Sequence, residues 1–315
     1  MFTVDLRLLT ADPLVTVSRD TLVTLAKTAS IFRAAMMADA IVGPLRGAAS
    51  SSVIFMHGLG DSGAGWESNI RHVLAPKLPS TRFIIPTAVT QPVTVNGGMS
   101  MPSWYDIKSL SRSRASEECE GLDVSAARIN ALIKKELDSG IDAGSIALAG
   151  FSQGGALALW TALAYKGPVP LGGVCVLSGY LPRAHAASPS PAIADSLRVR
   201  LFHGDDDQVV NPEYAKDTLN RLRELGVKDM RLRTYRDLAH ESNDTEMADL
   251  AGELVRMFAP PLTQDDIQGM NVKALKALLT DAGVERGKIS ACVEKSELVT
   301  LALETSVKVS LPVHR

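Results

Sequence analysis

At 315 residues the chain is long enough for one sizeable α/β core with small appendages, and its formal net charge of −2 excludes any chain-wide attraction to nucleic acid or anionic membrane. Charged residues make up 22% and hydrophobic residues 46%, the values of an ordinary globular protein rather than a disordered or fibrous one. Cys119, Cys175 and Cys292 are odd in number, far apart and without zinc-site or disulfide spacing, which fits a reducing compartment. No run reaches the roughly 18 apolar residues of a spanning helix, and the N-terminus lacks the pattern of a secretory signal.

In chain order, residues 1–39 read as an N-terminal extension with a short strand and a helix starting near Ser18. Leu22, Leu25, Ala26, Ala29 and Phe32 give that helix a mildly amphipathic face suited to a membrane or organelle address, while Asp5, Asp12 and Asp20 argue against a mitochondrial one. Residues 40–260 alternate short apolar runs with helical periodicity, the pattern of β-α repeats around a mostly parallel central sheet flanked by helices. Strands are expected at Val53 to His57, Arg82 to Ile85, Ser145 to Ala149, Gly173 to Leu177, Val199 to His203 and Arg231 to Tyr235. The clearest helices are Val124 to Leu137, Gly155 to Tyr165, Pro212 to Leu225 and Thr245 to Phe258. The connection from Pro86 to Asp123 shows no periodicity, and a loop of that length in a compact domain is usually functional, so it is the expected wall of a substrate pocket. Ala186 to Ala194 reads as a surface loop, and Pro260 with Pro261 closes the domain. Residues 262–315 form a helical tail, with periodic segments at Val272 to Ala282 and Lys295 to Glu304.

The strongest chemical signal is Gly150-Phe151-Ser152-Gln153-Gly154, lying between an apolar strand and a helix-forming run. A sharp strand-to-helix turn strains the central residue and projects its hydroxyl, while the small flanking residues let the chain pass close to its neighbours. The helix N-terminus then directs free N–H groups at the same place, where an oxyanion would develop. A serine N-cap in a glycine-rich turn is the plainer alternative.

A serine hydroxyl needs a base, and the base needs an acid to hold its tautomer. Of the six histidines, His57 and His203 sit at strand ends and suit structural hydrogen bonding, His72 lies in a helical segment, His185 in a loop and His314 in the tail. His240 follows the last strand and precedes the last core helix, as the chain order Ser, acid, His requires; a structural or surface role is its alternative. The acid should follow the strand between them, where Asp205, Asp206 and Asp207 stand together. Asp207 is preferred because the turn through Gln208-Val209-Val210 can aim it at the sheet edge, whereas Asp205 suits bonding to local backbone; a cation site is the other use of three aspartates. Val53 to Met56 runs into His57-Gly58-Leu59-Gly60-Asp61, so the Leu59 amide is expected to join that of Gln153 in an oxyanion hole, unless this is a plain glycine-rich turn.

Four motifs at consistent spacing, His57 to Gly63, Met101-Pro102-Ser103-Trp104-Tyr105-Asp106, Gly150 to Gly155 and His203 to Asp207, resemble the acyl-protein thioesterase/lysophospholipase (phospholipase/carboxylesterase) family of α/β hydrolases over about residues 40–260. The resemblance implies a cytoplasmic enzyme, peripheral at membranes, that removes long acyl chains such as palmitate from cysteine thioesters of S-acylated proteins, and in some members hydrolyses lysophospholipids or simple esters. It also implies that Leu59 and Gln153 give the oxyanion contacts and that Trp104 and its loop lie beside the active site; on physical grounds Trp104 serves equally well as a packing anchor. The family's usual proline after the catalytic aspartate is Gln208 here, and no cysteine near the N-terminus offers a lipid attachment site. The tail segment Asn271 to Leu303 resembles a small SAP-like helical module. Some such modules bind DNA, but residues 262–315 carry seven Lys or Arg against seven Asp or Glu, so no nucleic-acid partner is expected. A protein-docking or substrate-positioning role is favoured over an ordinary helical hairpin packed on the core.

The expected reaction is acyl transfer to Ser152 and hydrolysis of the acyl-enzyme, needing no metal and no organic cofactor. The rivals are a broad carboxylesterase acting on small soluble esters and a catalytically silent binding protein recruited through the tail.

Overall fold

The computed structural model describes residues 39–109, 117–259, 262–282 and 284–309. The expected strand and helix of the N-terminal extension and His314 therefore lie outside the described residues.

Among the described residues seven strands form the central sheet: β1 (Ala40–Val42), β2 (Ser51–Met56), β3 (Thr81–Ile85), then β6 (Ile146–Phe151), β7 (Gly173–Leu177), β8 (Arg198–Gly204) and β9 (Asp229–Tyr235). Their order is β1-β3-β2-β6-β7-β8-β9, with only β1 antiparallel to its neighbour. All six expected strands are present, Gly173 to Leu177 with both ends as expected and the others with no end displaced by more than two residues. The three-residue edge strand β1 is too short to announce itself by alternation.

Alternating side chains of the central strands enter two separate cores, because helices cover both faces of the sheet. Ile54, Met56, Leu148, Val174, Val176 and Leu201 pack on one face, while Val53, Phe55, Ala147, Ala149, Cys175 and Phe202 pack on the other. The first face is covered by α2 (Leu122–Asp138) and by α3 (Gln153–Leu163), and Leu222 of α5 (Glu213–Glu224) joins the same core. The second is covered by α1 (Gly63–Asn69), which continues through a π-helical turn to Leu74, and by α6 (Asp244–Phe258). Met247, Leu250, Ala251, Leu254 and Met257 recur on α6 at helical spacing and supply its buried stripe.

Two loop expectations are corrected. The connection from Pro86 to Asp123 contains a hairpin of β4 (Thr90–Val93) and β5 (Met99–Pro102), whose turn passes through Gly97 and Gly98 with φ of 66° and 80°. Four-residue strands are too short for a periodic signal, although the Gly-Gly pair was a turn mark. Ala186 to Ala194 is not wholly a surface loop: α4 (Pro191–Ser196) starts inside it, capped by the Ser190 hydroxyl on the Ile193 amide, with Ile193 and Ala194 buried. Serine followed by proline is a helix-start signal that the short length concealed.

Among the described residues the tail holds four helices rather than a two-helix hairpin: α7 (Gln264–Gly269), α8 (Val272–Asp281), α9 (Arg286–Ala291) and α10 (Lys295–Val309). A capping box joins Thr263 and Asp266 at the head of α7, and Asn271 caps α8. Ile267, Leu275, Leu279, Ile289, Leu298 and Ala302 pack as a core drawn from the tail alone. Among the described residues no helix is long and apolar enough to cross a membrane.

Candidate active site

The parallel strands deliver three loops to one edge of the sheet. β6 ends at Phe151, and Ser152 turns the chain directly into α3 with φ 54° and ψ −118°, a strained conformation for a residue with a Cβ. The turn is possible because Gly154 lies against β2: a Cβ there would sit 2.2 Å from the Met56 carbonyl oxygen. Although Ser152 occupies the N-cap position, its side chain makes no capping hydrogen bond, which removes the plainer reading of the motif. Its hydroxyl instead meets His240 Nε2 at 2.9 Å.

His240 stands in the loop between β9 and α6, its ring 4.9 Å from that of Phe151. Gly204 at the end of β8 lets this loop close in, since a Cβ there would lie 2.0 Å from the Leu238 carbonyl oxygen. His240 Nδ1 is 2.7 Å from Asp207 Oδ2. Asp207 is buried and divided between two tasks: Oδ1 accepts from the Val209 and Val210 amides at 2.9 and 2.8 Å, leaving Oδ2 for His240. Burial alone would raise its carboxyl, but hydrogen bonds from His203, His240 and the Val210 amide outweigh this and hold it well below the usual carboxylate range. The sequence thus named three residues, distant along the chain, that the fold brings into one hydrogen-bonded series.

The other two aspartates bond elsewhere. Asp205 accepts from the Asp237 amide at 2.8 Å, tying the β8 loop to the His240 loop rather than to its own local backbone. Asp206 accepts from the Gln208 side chain at 3.1 Å. Among the described residues no group of three or more His, Cys, Asp or Glu could hold a metal ion.

The remaining strand-end histidines are structural. His57 is buried, and its Nε2 accepts from the Ala88 amide at 2.9 Å, so the proton sits on Nδ1, which donates to the Gly58 carbonyl at 2.6 Å. Burial keeps its pKa below the ordinary value, consistent with this neutral tautomer. His203 Nε2 lies 2.7 Å from the Val210 carbonyl oxygen and 3.4 Å from Asp207 Oδ2, bracing the turn that aims the carboxylate.

Leu59 follows β2 across the edge from Ser152, and Gln153 begins α3; among the described residues neither amide donates a hydrogen bond within the protein. Trp104 is buried, with its indole Nε1 donating to the His57 carbonyl at 2.9 Å. Of its two sequence readings, this geometry favours the anchor: the ring braces the Leu59 loop from within the core.

Sequence reading missed Glu246, two residues into α6. It is wholly buried, neither carboxyl oxygen has a partner among the described residues, and burial, followed by the charges of Asp207 and Asp249, pushes its pKa up to about 8. Nothing in the sequence separates it from exposed first-turn acids such as Asp244. A carboxyl that keeps its proton in the folded state above its ordinary value of 4.5 makes stability fall as pH rises from there to about 8 and level off beyond. Glu246→Gln is therefore expected to gain stability over the parent across this window, by at most ~1.4 kcal/mol per pH unit. Denaturation at pH 5, 7 and 9 checks this; an equal difference at all three values would refute it.

A mostly parallel sheet with Ser, Asp and His delivered in that chain order to one edge defines an α/β hydrolase of the serine type. The sequence profile of the phospholipase/carboxylesterase family matches residues 37–256. Over 212 residues the chain is 40% identical to acyl-protein thioesterase 1 of Yarrowia lipolytica, covering 66% of this chain and 92% of that protein. Acyl-protein thioesterase 1 homolog 1 of Dictyostelium discoideum is 41% identical, with coverage of 67% and 92%. The crystal structure of Zea mays acyl-protein thioesterase 2 superposes with a TM-score of 0.63 at 29% identity, covering 70% of this chain and 99% of that one. The chain belongs to the phospholipase/carboxylesterase family and is a serine hydrolase.

Proposed function

We propose that this hydrolase is an acyl-protein thioesterase that removes long acyl chains from cysteine residues of S-acylated proteins, with lysophospholipids as a second substrate class. The observation that carries the reading is the continuous hydrogen-bonded series from Ser152 through His240 to Asp207, at 2.9 and 2.7 Å, in a chain 40% identical to proteins named for this activity. In the proposed cycle His240 Nε2 takes the hydroxyl proton as Ser152 Oγ attacks the thioester carbonyl. Asp207 stabilises the imidazolium, and the amides of Leu59 and Gln153 hold the oxyanion. Collapse breaks the carbon–sulfur bond, His240 returns the proton to the departing thiolate, and the acyl-Ser152 ester is hydrolysed by water through the same steps.

Residues 40–260 would form the catalytic domain and residues 262–315 a separate SAP-like module for protein docking or substrate positioning, supported by the tail's own core. An acylated substrate is itself anchored in a bilayer, so the enzyme would work from the cytoplasm in transient contact with membrane surfaces. The test is parallel hydrolysis of a palmitoyl-cysteine peptide thioester, a lysophospholipid and a short-chain ester. Faster turnover of the palmitoyl thioester is expected, while turnover confined to the short ester would replace this reading with a broad carboxylesterase. Fluorophosphonate labelling that survives Ser152→Ala would remove Ser152 from the nucleophile's role.

A further inference from the structure

The two amides assigned to the oxyanion are joined through the protein interior. Gln153 contributes its backbone N–H at the head of α3, but its side chain is buried and turns away into the segment 103–105. There its Oε1 accepts from the Trp104 amide at 2.9 Å, and its Nε2 donates to the Tyr105 carbonyl at 2.7 Å and to the Ser103 hydroxyl at 3.0 Å. The Ser103 hydroxyl in turn donates to the Tyr105 carbonyl at 2.7 Å, closing the cluster.

From this segment two bonds reach the other side of the site. Trp104 Nε1 donates to the His57 carbonyl at 2.9 Å, and the Pro102 carbonyl accepts from the Gly60 amide at 2.9 Å. These attachments flank Leu59, the second oxyanion residue, on both sides. His57, Ser103, Trp104, Tyr105 and Gln153 are all buried, so each polar group has exchanged water for a fixed partner and cannot shift without losing a bond.

We propose that the side chains of Gln153 and Trp104, with Ser103 between them, are positioning residues that set the spacing of the Leu59 and Gln153 amides. An oxyanion hole works because its donors stand at transition-state geometry before the reaction begins, so a brace between them acts on turnover rather than on substrate affinity. Neither side chain touches the reacting atoms in this role. The inference rests on the assignment of Ser152 and the two amides made above.

The experiment measures Trp104→Phe, which keeps an aromatic ring and removes the indole N–H, alongside Gln153→Met, Ser103→Ala and the Trp104→Phe/Gln153→Met double variant, all in the full chain. For each, kcat and KM on an acyl thioester are compared with the Ki of an alkyl trifluoromethyl ketone, which forms a tetrahedral adduct bearing an oxyanion. Displacing an oxyanion donor rather than deleting it is expected to lower kcat by ~10-fold or more and to raise Ki by the same factor. KM should stay within about twofold, and the double variant should lose little more than the worse single one. Wild-type kcat in folded Trp104→Phe, a loss expressed in KM alone, or a fall in kcat with unchanged Ki would each overturn the brace. Should the larger changes prevent folding, as judged by circular dichroism, Ser103→Ala decides by the same criteria. Persistent hydrolysis by Ser152→Ala would instead undo the underlying assignment, which keeps the two failures apart.

Discussion

Ser152→Ala is expected to lower acyl hydrolysis by at least ~10⁴-fold while leaving the fold intact. The hydroxyl makes its hydrogen bond to His240 alone among the described residues, whereas the backbone of residue 152 is held independently: its amide donates to the Leu177 carbonyl at 2.7 Å and its carbonyl accepts from Ala156 at 3.0 Å. Alanine meets the same positive φ as serine and adds no atom, so the turn keeps its strain and its neighbours. Steady-state turnover of an acyl thioester, with circular dichroism as the control for folding, measures the effect. A folded variant retaining more than about one part in a hundred of the activity would be incompatible with Ser152 as nucleophile.

Asp207→Asn is expected to be nearly as damaging, at ~10⁴-fold in kcat, through the tautomer of His240 rather than through loss of contact. Asp207 Oδ1 already accepts from the Val209 and Val210 amides, so the carboxamide oxygen of an asparagine is pinned at that position. Its NH₂ group must then replace Oδ2, facing His240 Nδ1 where a carboxylate stood at 2.7 Å. A donor there requires Nδ1 to accept, which places the imidazole proton on Nε2 and leaves no lone pair to take the proton of Ser152. Turnover should therefore collapse while substrate binding changes little. Unchanged kcat in a folded Asp207→Asn protein would show that the carboxylate does not set the histidine's tautomer.

Ser152, Asp207 and His240 were legible because strand-turn-helix chemistry and chain order confine each to a narrow stretch, whatever the details of packing. Six of the seven strands of the main sheet were legible, the central ones for a related reason: runs buried on both faces are continuously apolar, as in Val53 to Met56 and Val174 to Leu177, and stand out from their polar surroundings. The hairpin of β4 and β5, the helix α4 and the extra tail helices α7 and α9 escaped notice because four to six residues do not complete enough periods to register. Their stability comes from caps, turns and neighbours rather than from a repeating pattern.

Gln208 illustrates a smaller lesson. It stands where the family resemblance implies proline, yet its side chain bonds Asp206 and the Asp207 carboxylate receives both backbone amides. The turn is held by hydrogen bonds to Asp207 itself, which do not depend on the residue that follows it.

By itself the sequence determined the class of fold and singled out the residues proposed to carry the chemistry, since these follow from local hydrophobic pattern, from short motifs and from chain order. Only the tertiary structure decided that Trp104 faces inward to hold the Leu59 loop, that the Gln153 side chain grips the segment around Trp104, and that Glu246 is buried without a partner among the described residues. Those outcomes depend on contacts between residues about fifty positions apart, or on which face of a helix meets the core, and neither quantity is encoded in any short window of the chain.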